Sequence, residues 1–448
     1  MDWKAEYEKK LVSSHEAVKI VKSGDRVHVP LTYQPQVLLN ALAERKHELK
    51  GVRLILGVSD MDLSWYEPGI EDSILIQNEI VMMDAQRELL EEMRAEHINI
   101  LQGSYFKAQE ERKGEIREAE VDVAIVRVTP PDKNGYCSFG TNPWHKKTAC
   151  RLAKKSITLV DDELERLYLR DNYIHVSEID CFVHEPSPTP MRGLSIVPEV
   201  PDELRKLAKH AASLIKDGDC IQIGWGASMQ AIAEIIFDEE PREDLGVHTE
   251  LIFPGVVWAV QKGIITGKRK TLHREKVVCT AFVFMGQEEM AFIEDNPAFE
   301  LYGMEYVCDP RVIASNDNMV AMNEAISVDL TGQINTESFG TLQYAAPGGQ
   351  LEFAIGAMLS RGGRNITILE STARQGAFSR IVPTFPEGTG VSIPRLYADY
   401  IITEYGIARL LGKSNRERCR ELIAIAHPKF REDLKSKAEE FYGGSYDI

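Results

Sequence analysis

The sequence predicts an α/β protein of two related open domains, each built on a mostly parallel sheet. Three observations predict it. The chain has 448 residues, more than a single hydrophobic core ordinarily organises. Short apolar runs of strand length alternate with amphipathic segments of helical period. The same unit also occurs twice. Ile20-Val-Lys-Ser-Gly-Asp25 followed by Val27-His-Val29 matches Leu214-Ile-Lys-Asp-Gly-Asp219 followed by Ile221-Gln-Ile223, at an offset of 194 residues. The offset also aligns Gln36 with Gln230, Leu38 with Ile232 and Leu42 with Ile236. Each copy reads as a helix, a Gly-Asp turn, a buried strand, and a loop opening a new helix.

The elements follow in order. Ala17–Val21 and Glu203–Ile215 have helical apolar spacing. Val121–Val128, Ser156–Val160 and Asn365–Leu369 are β-rich runs short enough for buried parallel strands. Pro186-Ser-Pro-Thr-Pro-Met-Arg-Gly193, with prolines on to Pro201, is a natural linker, so the expected domains are 1–190 and 191–448. The charged tail from Asn415 to Glu440 has the period of a capping helix pair.

Composition narrows the function. A formal charge of −17 opposes binding to bulk nucleic acid or an anionic membrane. The start, Met1-Asp-Trp-Lys-Ala-Glu, has no apolar signal core, and no run approaches the length of a membrane helix. Seven scattered cysteines never form CxxC, and His145, His184, His210, His248, His273 and His427 show no HExxH or HxH spacing. The expectation is a cytoplasmic protein with neither a disulfide framework nor a metal.

The chemistry centres on Glu250, in Leu245-Gly-Val-His-Thr-Glu250-Leu251. A glycine turn, Ile223-Gly-Trp-Gly-Ala-Ser228, precedes it, and Pro347-Gly-Gly-Gln350 follows about a hundred residues later. The Gly224/Gly226 turn lies at the carboxyl end of a strand, where open α/β sheets bind ligands, and it is not a dinucleotide fingerprint because residue 229 is Met. Paired Gly348 and Gly349 can bring backbone amides close to an oxyanion or phosphate, although a plain turn also explains them. Ser371-Thr-Ala-Arg374 through Ser379-Arg380-Ile381 offers two guanidiniums for phosphate or carboxylate.

Several motifs then occur in a fixed order: His248-Thr-Glu250-Leu251, Asp309-Pro-Arg-Val-Ile313, Asn316-Asp-Asn-Met319 and Val328-Asp-Leu-Thr-Gly-Gln333. Gly348-Gly-Gln350, Asp399-Tyr-Ile-Ile-Thr-Glu-Tyr-Gly-Ile-Ala408 and Ile425-Ala-His-Pro-Lys-Phe-Arg431 complete the series, and Asp132 with Gly135-Tyr-Cys-Ser-Phe-Gly140 fits in the first half. Over essentially its whole length the chain resembles the acetyl-CoA hydrolase/transferase family, in the 4-hydroxybutyrate CoA-transferase branch of the class I CoA-transferases. The resemblance implies ping-pong transfer between an acyl-CoA and a free carboxylate, through an acyl anhydride and then a CoA thioester on Glu250. It implies coenzyme A as a substrate rather than a tightly bound cofactor, no metal, and a homodimer or higher homo-oligomer.

On physical grounds the amides of Gly348 and Gly349 are expected at the oxyanion, with Gly224 and Gly226 lining the acyl site. Glu250 is expected to stay ionised and so to avoid a fully apolar pocket. Gln350, Arg374, Arg380 and Lys413 are candidates for holding CoA.

The surroundings depart from that branch. Phe253-Pro254-Gly255 stands where Ser-Asp-Gly is usual, Trp258 replaces an acidic residue, and Trp225 sits inside the glycine turn. Ala346-Pro347 replaces Ser-Gly, while Leu31-Thr-Tyr33-Gln34 and Ser59–Trp65 occupy stretches that are usually small. The changes run towards bulk. Tyr33, Trp225, Phe253 and Trp258 are therefore expected to shape a pocket for a larger or cyclic acid, the alternative being that these side chains only fill the interior differently. An acyl-CoA hydrolase on the same scaffold and a non-catalytic CoA-binding paralogue are the competing functions.

Overall fold

The computed structural model describes residues 2–31, 34–57, 63–81, 83–112, 114–117, 120–187, 200–224 and 226–446. Two compact units emerge. The first comprises Met1–Leu194 with Thr280–Phe284 and Met290–Val307; the second comprises Ser195–Cys279, Met285–Glu289 and Cys308–Ile448. Much of the proline-rich stretch expected to link them, residues 188–199, lies outside the described residues.

The first unit holds β1 (Arg26–Val29), β2 (Val52–Leu56), β3 (Ile74–Asn78), β4 (Ala95–His97), β5 (Val123–Val128), β6 (Lys155–Val160) and β7 (Cys181–Val183). They form a seven-stranded sheet in the order β4-β3-β2-β1-β5-β6-β7, every pair parallel. Both faces are covered, which explains the unbroken apolar runs. In β5, Val123 and Ile125 enter one core cluster with Val27 and Leu54, whereas Ala124, Val126 and Val128 enter another with Phe106 and Phe182. Arg127 survives inside this strand because its guanidinium pairs with Asp161 at 3.0 Å and donates to the Gln34 carbonyl at 2.8 Å.

The second unit holds β8 (Cys220–Ile223), β9 (Gly246–His248), β10 (Val277–Cys279), β11 (Met319–Glu324), β12 (Arg364–Ile368), β13 (Tyr400–Thr403) and β14 (Gly406–Arg409). Their spatial order is β10-β9-β8-β11-β12-β13-β14, parallel except for the last pair. The internal repeat is thereby a repeat of topology: β3-β2-β1-β5-β6-β7 reappears as β10-β9-β8-β11-β12-β13. Even the turn is reproduced. Gly24 and Gly218 take φ of 80° and 79°, and the carboxylates of Asp25 and Asp219 each accept from the backbone three residues earlier at 2.7 Å. Only glycine takes that left-handed conformation without strain.

Helices follow the strands. α1 (Gln36–Ala43) comes after β1; α2 (Asp202–Ala212) comes before β8 and α3 (Ala227–Glu234) after it. α4 (Pro254–Gln261), α5 (Pro310–Ala314) and α6 (Gln350–Leu359) follow in turn. The tail is the expected helix pair, α7 (Asn415–Ile425) and α8 (Arg431–Tyr442), with Ser414 and Glu417 forming a reciprocal cap at the start of α7. The helix expected at Ala17–Val21 is instead a short turn of α-helix, Ser14–Ala17, tightening into a 3₁₀ turn at Val18–Ile20. Two β-branched residues just before the Gly24 turn disfavour a longer α-helix. No helix among the described residues is long and apolar enough to cross a membrane.

Candidate active site

In the second unit the chain order reverses direction between β8 and β11, and ligands of open α/β sheets gather at the carboxyl ends beside such a point. Glutamates stand there on four strands: Glu250 just beyond β9, Glu324 closing β11, Glu370 beyond β12 and Glu404 beyond β13. Glu250 is held from behind. The Thr249 amide donates to the Val278 carbonyl at 3.0 Å, and its hydroxyl donates to the Ile223 carbonyl at 3.3 Å. His248 is buried, its ring 6.1 Å from that of Phe353 on α6. Thr249 thus ties the end of β9 to β10 on one side and β8 on the other, leaving the next side chain to project from the strand end.

That side chain meets the second glycine turn. The Gly349 N–H donates to Oε1 of Glu250 at 3.0 Å. A Cβ at Gly349 would lie 2.9 Å from this oxygen and 2.6 Å from Cys308 Sγ, so the close approach requires glycine. Gly348 supplies the turn with φ of 56°. Glu250 is half-buried, and burial pushes its carboxyl up to about 7, with the neighbouring Glu352 charge acting in the same direction. The Gly349 amide and the Cys308 thiol, both hydrogen-bonding the carboxylate, oppose the rise. The expectation of a permanently ionised glutamate is therefore corrected: near neutral pH both forms are populated. Burial and a like charge outweigh two donors.

The structure brings Glu250, Gly348 and Gly349 together, but the Gly349 amide already serves the glutamate itself. Gly224 donates its N–H to the Met322 carbonyl at 3.0 Å, and a Cβ on Gly226 would lie 2.6 Å from Glu324 Oε1. This turn thus adjoins Glu324. Gln350 is buried at the start of α6 and donates to the Glu324 carbonyl at 3.4 Å. Arg380 lies 3.8 Å from Glu370, and Arg374 stacks over Phe378 at 5.8 Å. Lys413 pairs with Glu421. Phe253 precedes α4, while Trp258 is half-buried on α4 beneath the Lys262 ammonium, 5.6 Å away. Tyr33 and Trp225 lie outside the described residues.

Three neighbours were missed by the sequence reading. Glu352 stands inside the Gly348-Gly-Gln-Leu-Glu352 motif, where nothing along the chain separates it from a solvated helix glutamate. Cys308 was one of seven scattered cysteines. Glu324 carried no sequence signal, because only the sheet order sets it beside Gly226.

Residues 1–191 match the acetyl-CoA hydrolase/transferase N-terminal domain, and residues 286–438 match the corresponding C-terminal domain. The chain is 37% identical to 4-hydroxybutyrate coenzyme A transferase of Clostridium kluyveri, over 98% of this chain and 99% of that one. It is 34% identical to succinyl-CoA:cyclohexane-1-carboxylate CoA transferase of Geobacter metallireducens, over 97% and 96%. The crystal structure of RipA from Yersinia pestis superposes with a TM-score of 0.86 at 32% identity, covering 99% of this chain and 100% of that one. With both family domains matched in order and full-length relatives above 30% identity, this chain belongs to the acetyl-CoA hydrolase/transferase family and is an acyl-CoA:carboxylate CoA-transferase.

Proposed function

We propose that the enzyme moves CoA by a ping-pong reaction through Glu250. The observation that carries this reading is the Glu250 carboxylate at the carboxyl end of β9, held 3.0 Å from the Gly349 amide. The carboxylate attacks the donor thioester carbonyl, giving an acyl-glutamyl anhydride and CoA thiolate. The thiolate attacks the glutamyl carbonyl, releasing the donor acid as carboxylate and leaving a glutamyl-CoA thioester. The acceptor carboxylate reverses both steps. One thioester replaces another, so no ATP or metal enters the balance. A carboxylate is a weak nucleophile, and holding it in attack geometry can supply roughly 7–11 kcal/mol in favourable systems. As the anhydride forms, Glu250 releases its claim on the Gly349 N–H, which is then free for the developing oxyanion; one such donor is typically worth about 10²–10³ in rate.

CoA is a substrate in this reading, with Gln350 beside the nucleophile and Arg374 and Arg380 as partners for its phosphates. The acid is bulkier than 4-hydroxybutyrate, possessing an apolar or cyclic body. Phe253 at the start of α4 supports this, as does the similarity to a transferase named for cyclohexane-1-carboxylate.

Intact-protein mass spectrometry tests the mechanism, with acetyl-, succinyl- and cyclohexanoyl-CoA offered without acceptor. The wild type should gain the mass of CoA less one water, Glu250→Gln should not, and the cyclic donor should label most. No adduct with any donor would sink the mechanism. Labelling strongest with the smallest acyl groups would remove the bulky-acid reading. Adduct that decays in water as fast as with an added carboxylate would show a hydrolase.

A further inference from the structure

A sheet of this order binds its ligand in the crevice between the loops that follow β8 and β11. The strand register places Glu324 at that crevice. Ile221 of β8 pairs with Val247 of β9, and Ile223 pairs with Met322 of β11. Carried on to Gly224, this register sets Glu250 and Asn323 on its two sides, and Glu324 is the next residue. Neighbouring strands lie about 4.8 Å apart, so roughly 10 Å separates β9 from β11. Two consecutive residues link the glutamates: the Gly349 N–H donates to the Glu250 carboxylate at 3.0 Å, and the Gln350 side chain donates to the Glu324 carbonyl at 3.4 Å. The Glu324 carboxylate itself packs against Gly226, where a Cβ would meet Oε1, Cδ and Oε2 at 2.6, 2.9 and 3.0 Å. The amide and hydroxyl of Ser228, in the first turn of α3, hydrogen-bond it there. Ser228 is buried, whereas Glu324 is exposed.

Three charged groups meet at this crevice. Arg380 and Glu370 both act on the Glu324 carboxyl, and Arg380 lies 3.8 Å from Glu370. Two carboxylates and one guanidinium leave one net negative charge. The crevice also strips water from the Glu324 carboxyl, which raises it above the ordinary glutamate value against the Ser228 hydrogen bonds and the Arg380 charge. We propose that Glu324 is a specificity residue that selects against acids carrying a second carboxylate, so that the enzyme's substrates are monocarboxylates. The proposal rests on transfer through Glu250 and names the substrate class of that site. An acid joined to Glu250 and extending across Gly224 towards β11 brings its far end to Glu324. A methyl group or ring there meets no opposing charge. A distal carboxylate meets a like charge and loses water without gaining a partner.

Butyryl-CoA and succinyl-CoA test this, because their acyl groups match in carbon number and differ in the distal carboxylate. With acetate as common acceptor, kcat/KM for each donor is measured on the intact enzyme at about pH 8, where a raised carboxyl is still ionised. Wild type is compared with Glu324→Gln, Glu324→Ser and Glu324→Asp. Taking the ratio of two donors on one protein cancels the ionisation of Glu250, which acts on both. The wild type should favour butyryl-CoA. In the two neutral variants the ratio should shift about tenfold towards succinyl-CoA, and Glu324→Asp should keep it close to wild type. Serine can still cap α3 and carries the test if the glutamine variant does not fold. A folded neutral variant with the wild-type ratio overturns the role of Glu324, and a lower Tm with that ratio would leave it only a helix cap. A wild type that uses succinyl-CoA as well as butyryl-CoA overturns it too. Failure of the underlying reading looks different: neither donor leaves a glutamyl-CoA adduct on the wild type.

Discussion

Glu250 is a case in which reactivity and stability oppose each other at one residue. Its carboxyl titrates near 7 when folded, against 4.5 for an unperturbed glutamate. In the proposed mechanism only the ionised form attacks, so kcat/KM should rise with pH through an acidic limb near 7; a limb near 4.5 would show that burial does not act on this group. Stability has the opposite sign. A raised carboxyl binds its proton more tightly in the fold, so its contribution is complete below the unfolded value and is lost as pH rises from 4.5 to about 7. Glutamine keeps an oxygen for the Gly349 amide and carries no charge. Glu250→Gln should therefore gain on wild type between about pH 5 and pH 8, by up to about 2 kcal/mol. Thermal melts at the two pH values measure it, and a constant difference would contradict the linkage.

At the scale of elements, α6 brings the site together because it packs closely on its neighbour. A Cβ on Gly356 would lie 2.4 Å from Cγ2 and 2.5 Å from Cβ of Ile313 on α5, and 3.2 Å from the Pro310 carbonyl. Gly356→Ala thus sets two effects against each other. Helix propensity favours alanine by about 1 kcal/mol, while overpacking typically costs about 1–3 kcal/mol. Ile313 is β-branched and fully buried, so it has no flexible end to move aside. Overpacking should win. The variant should melt several degrees lower and form adduct more slowly, since α6 begins directly after Gly349. An unchanged or higher Tm would show that α5 and α6 separate without cost.

Across the whole molecule, each unit encloses its own apolar interior: clusters around β1 and β5 in the first, and around β13 and α7 in the second. The seven cysteines are free and all buried. Burial pushes the Cys137 thiol up to about 12 and those of Cys181, Cys220 and Cys419 up to about 11. A thiol that is neither exposed nor ionised does not react. The native protein should therefore give almost no fast reaction with a thiol-specific disulfide reagent, and seven equivalents after denaturation. One rapid native equivalent would reveal a cysteine reached by local opening.

The fold class, the repeat and the region of the proposed nucleophile could all be read along the chain. Apolar periodicity, the Gly-Asp turns and the ordered motifs are local patterns, and local patterns survive in one dimension. Gly24 and Gly218 were legible for that reason, as were Glu250 and Gly349 within their motifs. Only tertiary structure decided which groups act on one another. Glu352 raises Glu250, and Cys308 holds it, through space across 102 and 58 residues of chain respectively. Glu324, rather than Glu250, meets Gly226 because β11 lies next to β8. Electrostatic energy depends on distance and desolvation, and neither quantity exists until the strands are ordered and the carboxylates leave water.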